Sequence, residues 1–293
     1  MNLSKLILGA LLALACATFA SAQGNYTQFD YPGATGTFPS TVDTAGDVVG
    51  SWTDSNYNYH GFLFSNGTYT PIDYPDAQNT TVGGINDKGQ IVGYSFPATN
   101  PRNYTGFLYN VQTQSFTTLA DSAVTSILPS SINNSGLISG LAYTTESYVF
   151  ALLGSTYRLI APPTALQGGT FWVAGVTDSG AIVVTGETTS GTYVAYSYSN
   201  GAYSPIQLPQ RTQLQLFGVN PEGNAYVGAY QVSISVTAGY LSHGDSFISL
   251  QFPGSEDTNG EGINRTGEVV GNFTVDSVVH GFIWTLTAPD KEK

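Results

Sequence analysis

The sequence predicts an all-β chain folded as a six-bladed β-propeller of four-stranded blades, with the N-terminal strand completing the last blade. Three observations predict it. A line of small residue, Val or Ile, Asp, Asn or Thr, two residues and Gly recurs six times. Each recurrence leads into short β-rich segments without a 3.6-residue period. A fourth-segment pattern occurs once before the first repeat and is missing after the last.

Composition narrows the class. Of 293 residues, 41% are hydrophobic and only 10% charged, against about 25% charged in ordinary soluble domains. So few long charged side chains disfavour coiled coils and helix bundles, whose exposed faces need Lys and Glu. The chain has 8 Lys+Arg against 20 Asp+Glu, a net charge of −12. That leaves no basic footprint for nucleic acid and no attraction to anionic lipid surfaces.

In chain order, residues 1–22 read as a secretory signal peptide. Lys5 supplies the positive start, Leu6 to Phe19 the apolar run, and Ala20-Ser21-Ala22 the cleavage site before Gln23. The expectation is an exported protein, extracellular or periplasmic. The single cysteine, Cys16, lies inside this segment. A lipoprotein would need cleavage before Cys16, and Ala13-Leu14-Ala15 is a poor match to that signal. Cleavage at Ala22 leaves no cysteine, and hence no disulfide. No later segment is apolar and long enough for a helical span of ~20 residues. Residues 23–285 are assigned to the propeller and 286–293 to a short charged tail.

GNYTQFDYPG at 24–33 matches the later fourth segments GTYTPIDYPD and GDSFISLQFPG. It is therefore expected to pair with the last repeat and close the ring. The six repeats follow, with turn glycines at Gly46, Gly89, Gly136, Gly180, Gly223 and Gly267, spaced 43, 47, 44, 43 and 44 residues apart. So steady a period marks a repeat architecture. In each unit, the first segment ends at Val42, Ile85, Ile132, Val176, Val219 or Ile263. Asp43, Asn86, Asn133, Thr177, Asn220 and Asn264 then open a type I turn by bonding their own backbone, with Gly at its fourth position. As calcium ligands these residues would be too few, because calcium takes ~6–8 oxygens at one place. Small residues (Thr41, Gly84, Ser131, Gly175, Gly218, Gly262) precede the Val/Ile, as crowding at a propeller axis requires.

The lines GINDKGQIVG with TGFLY, VDTAGDVVG with HGFLF, and GINRTGEVVG with HGFIW resemble the bacterial extracellular HAF repeat family. The family's His-Ala-Phe triplet corresponds to His60-Gly61-Phe62 and His280-Gly281-Phe282. The resemblance spans nearly all of residues 24–284, clear in units one, two and six and blurred in three, four and five. It implies an exported propeller and adds no catalytic residues.

Propeller topology gathers the longer, more varied connections on one face, where function usually resides. Aromatic candidates there are Trp52, Tyr57, Tyr59, Phe96, Tyr104, Phe171, Trp172 and Tyr230. Such rings give rigid contact area with polar tips, suited to sugars or a protein partner, though packing between blades also uses them. Asp54, Asp76, Asp121, Glu146, Glu187, Glu256, Asp257, Glu261 and Asp276 are assigned to the same face. A glycosidase needs two carboxyls about 5–9.5 Å apart, and no spacing singles out a pair. Glu256, Asp257 and Glu261 are the densest acidic group. His60 and His280 occupy equivalent repeat positions and read as strand-start packing, since zinc usually needs three or four convergent ligands. No nucleophile elbow, zinc-protease, P-loop or dinucleotide motif occurs. The expectation is a binding or interaction module for an extracellular glycan or surface protein, monomeric, with no cofactor, metal or nucleic acid. The alternative is a carbohydrate-active enzyme using a carboxylate pair.

Overall fold

The computed structural model describes residues 24–99 and 103–287. The expected signal peptide, Cys16 and most of the charged tail lie outside the described residues. Strand β1 (Gly24–Phe29) comes first. Unit one forms β2 (Gly36–Val42), β3 (Val48–Thr53), β4 (Tyr59–Ser65) and β5 (Thr68–Ile72). Unit two forms β6 (Asn79–Ile85), β7 (Gln90–Phe96), β8 (Thr105–Asn110) and β9 (Ser115–Leu119). Unit three forms β10 (Ser126–Ile132), β11 (Ile138–Tyr143), β12 (Ser147–Leu153) and β13 (Thr156–Ile160). Unit four forms β14 (Thr170–Val176), β15 (Ile182–Glu187), β16 (Tyr193–Ser199) and β17 (Ala202–Pro205). Unit five forms β18 (Gln215–Val219), β19 (Ala225–Ser233), β20 (Val236–His243) and β21 (Ser246–Leu250). Unit six forms β22 (Asp257–Ile263), β23 (Val269–Val275) and β24 (Val278–Leu286).

The result is an all-β propeller of four-stranded antiparallel blades. Its division into sheets differs from the six expected. Units one to four are separate four-stranded sheets, while units five and six with β1 form one eight-stranded sheet. The cause is local. Strands β19 and β20 make a longer hairpin than those of the other units, and Thr237 pairs in parallel with Asp257. The Asp257 carboxylate also accepts the Thr237 N–H at 2.8 Å. One bridge thus fuses two sheets that the repeat alone would keep apart.

The first and last described strands meet. β1 pairs antiparallel with β24 from Gly24↔Leu286 to Phe29↔Gly281. The innermost strands β2, β6, β10, β14, β18 and β22 each touch the next, and β22 touches β2. They pack closely because small residues line them: a Cβ on Gly262 would meet the Thr41 backbone, and one on Gly175 the Val219 side chain. Every innermost strand also slips register at one residue, between Pro39/Thr41, Val82/Gly84, Pro129/Ser131, Val173/Gly175, Leu216/Gly218 and Gly260/Gly262. The six bulged residues are Ser40, Gly83, Ser130, Ala174, Phe217 and Glu261. A bulge re-aims its side chain, and all six line the axial cavity.

The core is a set of wedges between neighbouring units. Val49, Leu63 and Ile72 pack on Val82, Ile91 and Phe107 between units one and two. Leu250 and Val227 pack on Phe273, Phe282 and Trp284 between units five and six. Phe29 of β1 joins Val42, Val48 and Phe62 of unit one with Val270 of unit six. The seam between units four and five is the thinnest, with Val183, Ala195 and Leu216 as its buried members.

The turns follow the sequence expectation. All six turn glycines have φ between 68° and 87°, a region that costs Gly little and other residues more. Each donates its N–H to the carbonyl of the Asp, Asn or Thr three residues earlier, as in Gly136 to Asn133 at 3.0 Å. The Asn133 carboxamide oxygen accepts from Ser135 and Leu137 N–H. Its Nδ2 crosses to the next unit, donating to Thr177 O at 2.7 Å. Asn86 and Asn264 make the same crossing to Asn133 O and Asp43 O.

Units four and five lack this link, since Thr177 has no side-chain amide and Asn220 Nδ2 donates within its own unit to Glu222 and Asn224, and unit one lacks it too. Asp43 is buried and has no N–H in its side chain, and loss of solvent pushes its carboxyl pKa up despite bonds from Asp47 and Ala45 N–H. Asp43→Asn is expected to restore the crossing, toward the unit-two turn, and to remove a buried charge. A gain of ~1 kcal/mol per net hydrogen bond would raise Tm by about 2–4 °C, read by calorimetry at pH 7. No rise would mean that the turn ring contributes nothing between units one and two.

Candidate functional site

Propeller geometry places the ends of β3, β7, β11, β15, β19 and β23 and the starts of the following strands on one face. The aromatic residues there form a continuous arc over units one to three. Phe38 lies 6.2 Å from Tyr59, and Tyr59 lies 6.2 Å from Phe96. Phe96 contacts Tyr94 at 6.1 Å and Tyr104 at 6.0 Å. Tyr94 meets Tyr104 edge-on at 5.3 Å, and Tyr104 reaches Tyr143 at 6.1 Å. Tyr59 is 38% exposed and the other five are half-buried. The sequence reading found Tyr59, Phe96 and Tyr104. It missed Phe38 and Tyr94, which lie within β2 and β7, and Tyr143, the last residue of β11. Alternation was the available signal: Phe38 is half-buried between the buried Thr37 and Pro39, so it points away from the wedge.

The other aromatic candidates are placed differently. Trp52 is stacked between Tyr31 (4.3 Å) and His60 (4.5 Å), which makes it part of a packed column. Tyr57 is 76% exposed in a tight turn closed by its N–H on Asp54 O. Phe171 packs against the wedge between units three and four. Trp172 donates Nε1–H to Leu216 O at 3.1 Å and contacts Tyr193 and Phe217. Tyr230 is spent within unit five, bonded to Ser249 Oγ and edge-on to Phe247. His60 and His280 are indeed packed at strand starts: His60 lies 3.2 Å from Asp73, and His280 stacks on Phe273 and lies 3.0 Å from Asp30.

The acidic group is divided by the structure, which corrects the loop assignment of Glu261. Glu256 is exposed, Asp257 is the first residue of β22, and Glu261 lies four residues further along the strand. At ~3.3 Å per residue the two are roughly 13 Å apart. Asp257 and Glu187 line a polar groove of about 420 Å³ with Tyr193, Gln213, Gln215 and Gln231, and the β19–β20 hairpin forms one wall. Ile234 at the hairpin tip is 98% exposed. Among the remaining carboxylates, Asp54 and Asp121 accept N–H groups of their own turns. The bond from the Asn58 side chain holds Asp54 down to about 2. Asp76 and Asp276 occupy turn positions of positive φ. Glu146 and Glu187 accept the hydroxyls of Tyr148 and Tyr193.

Below the arc lies the axial cavity, about 280 Å³. Tyr94 belongs to both. Glu261 is the one carboxylate among the six bulged residues. Its Oε1 accepts Asn272 Nδ2–H at 2.9 Å, and Asn272 in turn accepts from Asn259. Loss of solvent outweighs that bond and pushes Glu261 up from 4.5 to about 7. At the opposite end the equivalent positions Thr44, Asp87, Asn134, Asp178, Pro221 and Arg265 form a second ring. Asn134 Nδ2 donates to both Asp87 and Asp178, and Arg265 reaches across from unit six to Asp178 and Glu222. Donors from Thr44 and Asn134 hold Asp87 below the usual carboxylate range, overcoming its desolvation.

Fold and site together define a β-propeller with an aromatic rim on its loop face and an acidic axial cavity. No family model and no curated protein matches the chain. Solved structures show the fold. The β-propeller domain of the trilobed protease from Pyrococcus furiosus, described as having an open velcro topology, aligns with TM-score 0.50 at 12% identity, over 86% of this chain and 82% of that one. An arginine-to-alanine triple mutant of AofleA from Arthrobotrys oligospora aligns with TM-score 0.55 at 9% identity, over 91% and 94%. Trypanosoma rangeli sialidase aligns with TM-score 0.54 at 9% identity, over 89% of this chain and 59% of that one. Similarity at this level describes a scaffold that hosts unrelated functions. No described helix is long and apolar enough to cross a membrane.

Proposed function

We propose that this chain is an exported, monomeric six-bladed propeller of the HAF type that binds glycans through the aromatic rim of its loop face. In this reading the eight-stranded sheet counts as two of the six sectors, with β1 as the outer strand of the last. The observation that carries the binding role is the arc from Phe38 to Tyr143. Six neighbouring rings, Tyr59 exposed and the others half-buried, form a continuous rigid platform across three neighbouring units. Sugar faces stack on such rings while hydroxyls reach the tyrosine tips.

A glycan array followed by titration calorimetry tests it. Tyr59→Ala with Tyr104→Ala is expected to weaken the best-bound oligosaccharide by about tenfold or more, at ~0.5–1.5 kcal/mol per lost ring contact. Thermal unfolding of the variant should stay cooperative. Unchanged affinity would remove the rim from the binding site. The enzymatic alternative is favoured by one observation, the presence of Glu187 and Asp257 in one groove. Hydrolytic turnover of a bound glycan that disappears in Glu187→Gln would establish that reading instead.

A further inference from the structure

The axial cavity is asymmetric. Of its six bulged positions, Ser40, Gly83, Ser130 and Ala174 are small, and the two serine hydroxyls are taken by Val82 O and Val173 O. Phe217 and Glu261 are large and stand on neighbouring strands, β18 and β22. The space left by four small residues therefore faces an aromatic ring beside a carboxylate. Trp172 packs on Phe217 with ring centroids 6.2 Å apart, from outside the cavity lining. A carboxylate next to aromatic faces is the arrangement that selects an organic ammonium: the ring quadrupole attracts the cation and the carboxylate neutralises it. Asn272 binds only Oε1, which leaves Oε2 for a ligand donor. The cavity volume is close to the lower end of the ~300–1,000 Å³ of small-molecule sites. Tyr94 connects it to the rim.

We propose that the axial cavity binds the primary ammonium group of an amino sugar, with Glu261 as its counter-ion and Phe217 as its aromatic wall. The sugar part of this ligand rests on the glycan-binding reading; the ammonium part rests on the cavity alone. The other ionisable side chains lining the cavity are Tyr94 on unit two and Asp43, Asp87 and Asp178 toward the opposite end. Asp178 is held by Arg265, and Asp87 is bonded by Thr44 N–H and Asn134. Glu261 is thus the carboxylate in the body of the cavity that is free to take up a cation. Its raised proton affinity means that an ammonium ligand competes with a proton there.

The test is calorimetric titration of the full mature chain with glucosamine, N-acetylglucosamine and glucose at pH 8 and pH 5.5. Glucosamine is expected to bind at pH 8 at least tenfold more tightly than either neutral sugar, and at least fivefold more weakly at pH 5.5, where Glu261 is protonated. Glu261→Gln should abolish the preference for glucosamine while its unfolding stays cooperative, and Phe217→Leu should reduce it severalfold. Equal binding of the three sugars, or a preference that survives Glu261→Gln, would overturn the proposal. If neutral oligosaccharides bind the rim but glucosamine shows no preference, the ammonium site falls and the glycan reading stands. If glucosamine binds and no neutral glycan does, the reverse holds.

Discussion

Removing residues 24–33 is expected to abolish cooperative unfolding. The segment adds the outer strand to β24 through six consecutive pairs, and its aromatic side chains Tyr26, Phe29 and Tyr31 hold neighbouring units together, Tyr31 by stacking on Trp52. Tyr26 packs edge-on against Phe252 and Phe282. Phe29 stacks on Phe64 and sits beside Phe62, both of unit one. Its loss therefore opens the seam between the first and last units and exposes the free edge of β24. Truncating one buried aromatic costs ~3–5 kcal/mol, and whole-domain stability is only about 5–15 kcal/mol. The deletion should yield aggregated or non-cooperatively melting protein. Phe29→Ala gives the graded version: a lower urea midpoint, equivalent to ~3–4 kcal/mol, with the folded spectrum retained. A deletion variant that melts in one sharp transition near the wild-type temperature would show that the ends need not meet.

Glu261→Gln is expected to stabilise the protein at pH 8 by up to ~3 kcal/mol and to flatten its stability between pH 4.5 and 7. The unfolded chain releases this proton near 4.5, whereas the folded chain holds it to about 7. Between those values the folded state binds more protons, so rising pH favours unfolding. Below pH 4.5 both states are protonated and the group contributes no difference. Above pH 7 the folded state carries a carboxylate poorly compensated by its one bond from Asn272. The gap in proton affinity corresponds to roughly 3 kcal/mol. Gln keeps the shape and the capacity to accept from Asn272 without a charge. Urea melts at pH 5, 6, 7 and 8 check this. The wild type should lose stability across the series relative to the variant. Parallel curves would mean that Glu261 is solvated in the folded state. A carboxyl shifted by desolvation inside a cavity marks a candidate functional site.

The repeat, its turns and the pairing of the chain ends were legible in the sequence for concrete reasons. Asp or Asn followed by Gly at the fourth position writes a turn locally, and Gly136 with Asn133 shows it realised. The orphan GNYTQF segment had one partner to find. The candidate site was only half legible. Tyr59, Phe96 and Tyr104 stand at strand ends, where a loop-face search looks. Phe38 and Tyr94 lie within strands and join the rim because their phase in the pleat turns them from the wedge. In the sequence Glu261 reads as part of an acidic loop, since nothing local to GSEDTNGEGI shows where β22 begins or which residue is bulged.

The sequence by itself determined the class of architecture, because backbone turns and alternating β segments depend on neighbours a few residues apart. It also determined that the axis would be crowded, because six small residues recur at one position. Tertiary structure alone decided which side chains share a surface. The fusion of units five and six depends on one contact between Thr237 and Asp257, 20 residues apart and on different units. The rim joins three units, and the cavity sets Phe217 beside Glu261 from two more. These juxtapositions arise only when the ring is assembled and each bulge has turned its residue toward the axis. They depend on distances between strands that no short stretch of chain encodes.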